Sequence, residues 1–120
     1  MHHNLKELII WNKSIDLAVD VYNATATFPA EEKYGLTSQI RRSVISISSN
    51  ISEGAGRNSN KEFVQFLGIA NGSSYELQTQ LILSYRLNLI SEEEKDNLLA
   101  KISEIQKMNY RLKETLSTKS

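Results

Sequence analysis

The spacing of apolar residues is the feature of this sequence that most restricts its fold. In the last third of the chain, steps of four and three residues join one line that includes a single polar residue: Leu98, Ile102, Ile105, Asn109, Leu112 and Leu116. A similar line lies earlier in the chain: Leu36, Ile40, Val44, Ile47 and Ile51. Such spacing places an apolar stripe along a helix and is typical of helices that pack side by side. We interpret Asn109 as a buried polar residue that fixes the register, in preference to a residue of a functional site.

Two further segments carry the same kind of pattern. The first predicts one buried helix face from Trp11, Ile15, Ala18, Val21, Tyr22 and Thr25. The second predicts another from Phe63, Phe66, Leu67, Ala70, Ser74, Leu77, Leu81 and Ser84. The sequence contains one Pro and five Gly, too few for a fold built from many short strands and turns. All the periodic segments therefore favour helices.

Helix-capping residues set the expected boundaries. Thr37 is the expected N-cap of the second helix, and Ser59 and Ser91, each with a Glu three residues later, have the spacing of capping boxes. We therefore predict helices at about residues 8–26, 37–55, 60–87 and 92–116. Joined by short loops, they predict an all-α fold, an up-down-up-down antiparallel four-helix bundle in a single domain over residues 1–120.

The residue types argue against several classes of function. There is no Cys, and the two histidines, His2 and His3, lie at the N-terminus, where we expect a flexible end rather than a metal site. Residues 117–120 are also expected to fray. Because no His general base and no Glu-x-x-His motif is present, we expect no enzyme activity, cofactor, metal or small-molecule substrate. The absence of a signal-peptide pattern and of an apolar run of about 18 residues predicts a cytoplasmic protein with no membrane partner.

One face of the second helix is unusually polar and has short side chains. Arg42, Ser46, Asn50, Glu53 and Arg57 form one line along it. Three interpretations are open: a solvated face with ion pairs between neighbouring turns, a contact with another helix or subunit, and a row of phosphate-binding cations. The second is favoured, because short side chains let another helix approach and because Arg, Asn and Glu can form a hydrogen-bonded network.

Cations are concentrated in the middle of a chain whose 14 basic and 14 acidic residues balance. The candidate nucleic-acid-binding residues there are Arg41, Arg42, Arg57 and Lys61. Repetition of a weak basic patch in a homo-oligomer would increase the number of phosphates contacted. The alternative is a structural or adaptor protein that binds another protein through its assembled surface. The neutral net charge favours this alternative, and we expect the aromatic residues, Tyr75 among them, to anchor the core or an interface.

Two adjoining segments are much more specific than the helical pattern. Residues 28–42 read FPAEEKYGLTSQIRR, and residues 46–57 read SISSNISEGAGR. These segments closely resemble the signature of the four-helix-bundle proteins called 23S rRNA intervening-sequence proteins, and the likeness extends from about residue 8 to residue 116. One departure is Ser48, at a position where the family often has Pro.

The resemblance implies a left-handed up-down bundle that assembles as a ring-shaped homopentamer, as does a relative, the accessory protein of diversity-generating retroelements. The family is named after reading frames within inserted segments of 23S rRNA genes, which suggests rRNA or another nucleic acid as a partner. Motif positions to consider for a polar network or an interface between subunits, together with Ser46, are Gln39, Arg42, Asn50, Glu53, Gly54, Arg57 and Glu76.

Overall fold

The computed structural model describes residues 3–119 and consists of four α-helices with short connections. They are α1 (Ile9–Thr25), α2 (Leu36–Ala55), α3 (Asn60–Arg86) and α4 (Glu92–Lys119), with short 3-10 helices at Leu5–Glu7 and Ala30–Glu32. Helices that follow each other in sequence pack together, and α4 also packs against α1. The predicted all-α four-helix bundle is therefore confirmed. Within residues 3–119, no helix has both the length and the apolar character needed to cross a membrane.

Contacts between α2 and α3 show how the chain reverses direction. Gly54, near the end of α2, lies against Phe63, near the start of α3. Ser46, two turns earlier on α2, bonds to Ser73, which lies almost three turns later on α3. Moving from the end of α2 towards its start therefore corresponds to moving forward along α3, so the two helices are antiparallel.

The apolar lines predicted on α2 and α4 form the centre of the bundle. Ile40, Val44, Ile47 and Ile51 are each at most 1% exposed. On α4 the corresponding buried residues are Leu98, Ile102, Ile105, Asn109 and Leu116. The Asn109 side chain is 2% exposed, and its Nδ2 donates to the carbonyl oxygen of Leu67 over 2.9 Å. The prediction of a buried polar residue at this position is confirmed.

The predicted buried face of α1 is wrong in part. Ile15 and Tyr22 remain 38% and 37% exposed. The residues of α1 that are buried are Ile10, Ser14, Leu17, Val21, Ala24 and Thr25. The helix carries two apolar stripes, and the stripe that enters the core contains a Ser. Periodicity favoured the stripe with the larger side chains, whereas packing against α2 and α4 selected the other.

The predicted caps have different outcomes. Ser59 is the N-cap of α3, and its hydroxyl both accepts from the Glu62 N–H and donates to the Glu62 carboxylate, each over 3.2 Å. The N-cap bond of the predicted capping box is confirmed, but the Glu62 carboxylate accepts from the Ser59 hydroxyl and not from the Ser59 backbone N–H that a full capping box uses. Ser91 accepts from the Glu94 N–H over 3.0 Å. The prediction for Thr37 is wrong, because α2 begins at Leu36 and the buried Thr37 lies inside its first turn.

Both ends of the described chain have a defined position against or within the bundle. The His3 N–H donates to the Ala55 carbonyl, and its ring meets the edge of the Phe63 ring at a centroid distance of 5.0 Å. His3 therefore contacts the bundle, the flexibility of this end stays a prediction, and His2 lies outside the described residues. Helix α4 continues to Lys119, beyond the predicted end at residue 116. Residues 117–119 are thus helical, their fraying stays a prediction, and residue 120 lies outside the described chain.

Candidate functional site

The central part of the polar line on α2 lies against α3. The Ser46 and Ser73 hydroxyl oxygens are 2.8 Å apart. Asn50 Nδ2 donates to the Ser46 carbonyl over 2.8 Å and to the Ser46 hydroxyl over 3.0 Å. Short polar side chains therefore lie between these two helices of one chain, where their hydroxyl and amide groups bond to each other.

The charged residues of the same line are not joined into one network in a single chain. Arg57 Nε donates to the Glu62 carboxylate over 3.0 Å, and its guanidinium lies 5.3 Å from the centroid of the Phe66 ring. Arg42 and Glu53 are exposed, and neither forms an ion pair with any residue of the described chain. Their charges are available to a ligand or to another subunit.

A groove between α2 and α3 brings three of the motif residues together. This α2–α3 groove encloses about 360 Å³ and is lined by Tyr34, Ser38, Gln39, Arg42, Ser43, Glu76 and Gln80. Arg42 and Glu76 line it without pairing with each other. The Gln80 Oε1 is buried and accepts no hydrogen bond from the described residues. The groove therefore presents one cation, one anion and an unused amide acceptor.

The four cations proposed from the sequence do not form one patch in a single chain. Arg41 donates from Nε to the Thr25 hydroxyl over 2.9 Å and from Nη2 to the Tyr22 carbonyl over 3.2 Å, and its guanidinium stacks on the Tyr22 ring. It thereby satisfies a carbonyl at the end of α1, where helical partners are missing. This cation is engaged in joining α1 to α2.

Arg42 and Lys61 are exposed and form no ion pair within residues 3–119. Because Ser46 contacts Ser73, Arg42 lies at about the level of residue 77 of α3. Sixteen residues then separate that level from Lys61, or about 24 Å at the helical rise. Of the four predicted cations, one chain therefore leaves two without an ion pair, and these two lie too far apart to form a continuous basic surface.

An exposed apolar surface on α1 and α2 was missed, because the sequence placed two of its residues in the core. We define the α1–α2 apolar surface by Ile15, Tyr22 and Ile45, which are 38%, 37% and 44% exposed. Ile45 lies one helical turn after Arg41, whose guanidinium covers the Tyr22 ring at 4.5 Å. The available signal was that α1 has more apolar positions than one buried face requires.

A second groove was also missed, between α3 and α4. This α3–α4 groove encloses about 350 Å³ and is lined by Tyr75, Ser103, Gln106, Lys107, Tyr110 and Arg111. Tyr75 and Tyr110 are 55% and 64% exposed. Tyr75 is therefore not a core anchor. The sequence did contain a signal for this groove. Tyr110 and Arg111 follow Lys107 by three and four residues, which places all three together on the polar face of α4.

Comparison with known proteins shows where this bundle belongs. Residues 6–111 match the family described as 23S rRNA-intervening sequence protein. The chain belongs to this family. The prediction made from residues 28–57 is thereby confirmed.

A solved structure shows that the fold is shared. It is the crystal structure of a protein with unknown function from the S23 ribosomal protein family of Bacteroides thetaiotaomicron, and it is similar to this chain with a TM-score of 0.82 and 28% identity. The similarity covers 88% of this chain and 96% of that one. No curated protein matches the chain. All residues that line the α2–α3 and α3–α4 grooves lie within the part that matches the 23S rRNA-intervening sequence family.

The Arg57–Glu62 contact gives a testable electrostatic prediction. The pKa of Glu62 is lowered from its ordinary 4.5, first by the hydrogen bond from Arg57 and second by the bond from the Ser59 hydroxyl. We expect Arg57→Ala to raise the pKa of Glu62. The control Lys61→Ala removes a neighbouring cation that is not bonded to Glu62, and we expect it to leave the pKa of Glu62 unchanged. NMR titration of the side-chain carboxyl groups measures both.

The sign of the effect on stability follows from the direction of this shift. Because the folded-state pKa of Glu62 lies below the unfolded-state value, the contact stabilises the fold above the unfolded-state pKa. That contribution is lost as the pH falls through the folded-state pKa, and Arg57→Ala should weaken this part of the pH dependence. An unchanged Glu62 pKa in Arg57→Ala would contradict the assigned cause.

Proposed function

We propose that this protein is a non-enzymatic helical bundle that assembles with copies of itself and binds RNA through cations repeated around the assembly. The observation that carries the proposal is that Arg42 and Lys61 are exposed and have no carboxylate partner in the described chain. Arg41 and Arg57, by contrast, are engaged within the bundle. Membership of a family named after an insertion in 23S rRNA makes rRNA the first candidate.

The α1–α2 apolar surface supports self-association. Exposed apolar patches with polar surroundings are typical of protein interfaces, and most homo-oligomers are closed and symmetric. Ile15, Tyr22 and Ile45 would lose contact with water in such an interface. The charge of Glu53, which is unpaired within one chain, would be available to a partner in a neighbouring subunit. The family resemblance leads us to propose a ring of five copies.

Repetition supplies what one chain lacks. Two free cations about 24 Å apart along the helices cannot contact the same short ligand. A polymer with a phosphate at every residue can contact both and can continue onto the next subunit. Each added phosphate contact raises the affinity and steepens its dependence on salt. The arrangement therefore suits a long polyanion better than a mononucleotide.

The test measures RNA affinity across a salt series and the mass of the assembly on the same sample. The double variant Arg42→Glu/Lys61→Glu should bind structured rRNA fragments more weakly, and its plot of log affinity against log salt should be flatter by about two per contacting subunit. The charge-matched control is Lys6→Glu/Arg86→Glu, which reverses two other exposed cations. We expect the control to bind RNA as the unmodified protein does. Both variants should form an assembly of the same mass as the unmodified protein.

Three results would count against the proposal. If Arg42→Glu/Lys61→Glu binds RNA with unchanged affinity, or if the control loses as much affinity, Arg42 and Lys61 are not part of the RNA-binding site. A monomeric mass at all concentrations would show that self-assembly is wrong. If an assembly forms and no RNA binds at low salt, the RNA function is wrong, and an adaptor that binds another protein becomes the function to test.

A further inference from the structure

The α3–α4 groove combines two exposed aromatic rings with two cations that form no ion pair within the described chain. Tyr75 and Tyr110 lie on either side of it, and more than half of each side chain is exposed. Lys107 and Arg111 line the same groove, and neither forms an ion pair within residues 3–119. The rings and the charges therefore face one common ligand-sized space.

Internal hydrogen bonds fix the position of this groove. Gln106 Nε2 donates to the Ser74 hydroxyl and to Gln78 Oε1, both over 3.1 Å, and so ties α4 to α3 beneath it. The Tyr110 hydroxyl donates to the Glu114 carboxylate over 3.0 Å. That bond engages the nearest acid of α4 and raises the pKa of Tyr110. The phenol is therefore neutral at physiological pH and adds no negative charge to the groove.

The backbone beside the groove is unusually open. Gly68 and Gly72 lie inside α3, and a Cβ atom at either position would meet no other atom within 4 Å. Packing within the chain does not require these glycines, although each costs the helix about 1 kcal/mol relative to Ala. Because Asn109 bonds to Leu67, the next residues, Tyr110 and Gly68, lie at one level of the bundle. At the level of Tyr110, α3 therefore presents an exposed position without a side chain.

We propose that the α3–α4 groove binds single-stranded RNA, with bases stacked on Tyr75 and Tyr110 and phosphates paired with Lys107 and Arg111. This inference rests on the proposed RNA function and adds a site that distinguishes unpaired from paired RNA. Aromatic rings stack on bases of any sequence, and interleaved cations follow the phosphate backbone. A duplex buries its base faces against each other, so only an unpaired strand can use both kinds of group.

The experiment compares one RNA oligonucleotide without internal pairing and the same strand annealed to its complement. The double variant Tyr75→Ala/Tyr110→Ala should lose at least about tenfold in affinity for the single strand and should bind the duplex as before. The matched control Tyr75→Phe/Tyr110→Phe keeps both rings and removes the hydroxyl bond to Glu114. It should keep the affinity for the single strand. Thermal unfolding should show that all four side-chain changes leave the fold intact, because both residues are exposed.

The outcomes separate this inference from the function on which it rests. If the unmodified protein binds neither RNA, both fail. If it binds RNA and the alanine variant retains its affinity for the single strand, only the stacking site is wrong. An equal loss for single strand and duplex, or a loss in the phenylalanine variant, would also overturn stacking. The Arg42→Glu/Lys61→Glu variant, measured in parallel, should weaken binding to both forms of RNA.

Discussion

Asn109→Asp is expected to destabilise the bundle by roughly 3–5 kcal/mol at neutral pH, because it places an unpaired charge in the core. Asn109 is 2% exposed and lies on the buried line of α4. Its Nδ2 donates to the Leu67 carbonyl oxygen over 2.9 Å, whereas an ionised carboxylate cannot donate and would place its own oxygen against that carbonyl. The Oδ1 of Asn109 has no partner among the described residues, so no donor is in place to receive the new charge.

This destabilisation should depend on pH with a definite sign. Burial raises the folded-state pKa of the introduced carboxyl above its unfolded value of about 3.9. The folded state then holds the proton more tightly, so the lost stability is regained as the pH falls through the folded-state pKa and is fully regained only below the unfolded one. Urea unfolding at several pH values measures this change relative to the unmodified protein at the same pH.

Asn109→Leu is the matched control for Asn109→Asp. It removes the same amide donor but continues the apolar line of α4, and replacement of a buried polar group by a well-packed apolar one is often neutral or stabilising. We therefore expect it to stay within about 1.5 kcal/mol of the unmodified protein at every pH. If Asn109→Asp is as stable as Asn109→Leu at neutral pH, the position is open to water and the proposed cost of burial is wrong.

Gly54→Ala is expected to destabilise the bundle by about 1–3 kcal/mol, even though Ala is intrinsically the better helix former. An added Cβ would lie 2.8 Å from Phe63 Cδ1, 2.8 Å from Phe66 Cβ and 3.3 Å from the Phe63 carbonyl oxygen. The Phe66 Cβ is fixed to the backbone, and the Phe63 ring is 1% exposed, so neither can move freely. Relief of the clash requires α2 and α3 to separate at this end of the pair.

The other helical glycines provide controls with the opposite expected sign. Gly68→Ala and Gly72→Ala add a Cβ where no atom lies within 4 Å. Each should stabilise α3 by about 0.5–1 kcal/mol, since only helix propensity changes. Urea unfolding of the three variants at one protein concentration compares them directly. If Gly54→Ala is stabilising to the same extent as the controls, close approach of α2 and α3 does not explain Gly54.

The Gly54 geometry also explains one residue of the motif that marked the family. Gly54 is buried between α2 and α3, and Arg57, three residues later, pairs with Glu62 at the start of α3. Both residues therefore have a role in joining these two helices. Arg42, Glu53 and Glu76 are exposed and have no such role within one chain. These three residues are the better candidates for contacts with a ligand or another subunit.

Much of the fold was determined by the sequence on its own. The apolar lines of α2 and α4, the buried Asn109 and the N-cap at Ser59 all depend on spacings within one helix or one turn. Such spacings are set by local geometry, 3.6 residues per turn and a fixed reach from N-cap to third residue, and therefore survive any arrangement of the other helices. The family could be predicted from residues 28–57 because a long run of matched positions is specific without any structure.

Only the tertiary structure decided how each helix is rotated and what meets across the grooves. α1 has two apolar stripes, and packing against its neighbours selected the one that contains Ser14. Arg41 and Arg42 are adjacent in sequence, but about 100° of rotation on a helix sends the first to α1 and the second to the α2–α3 groove. Tyr75 and Tyr110 belong to different helices. The periodicity of one helix does not specify how that helix is rotated or which residues of other helices it meets, because both follow from the packing of all four helices at once.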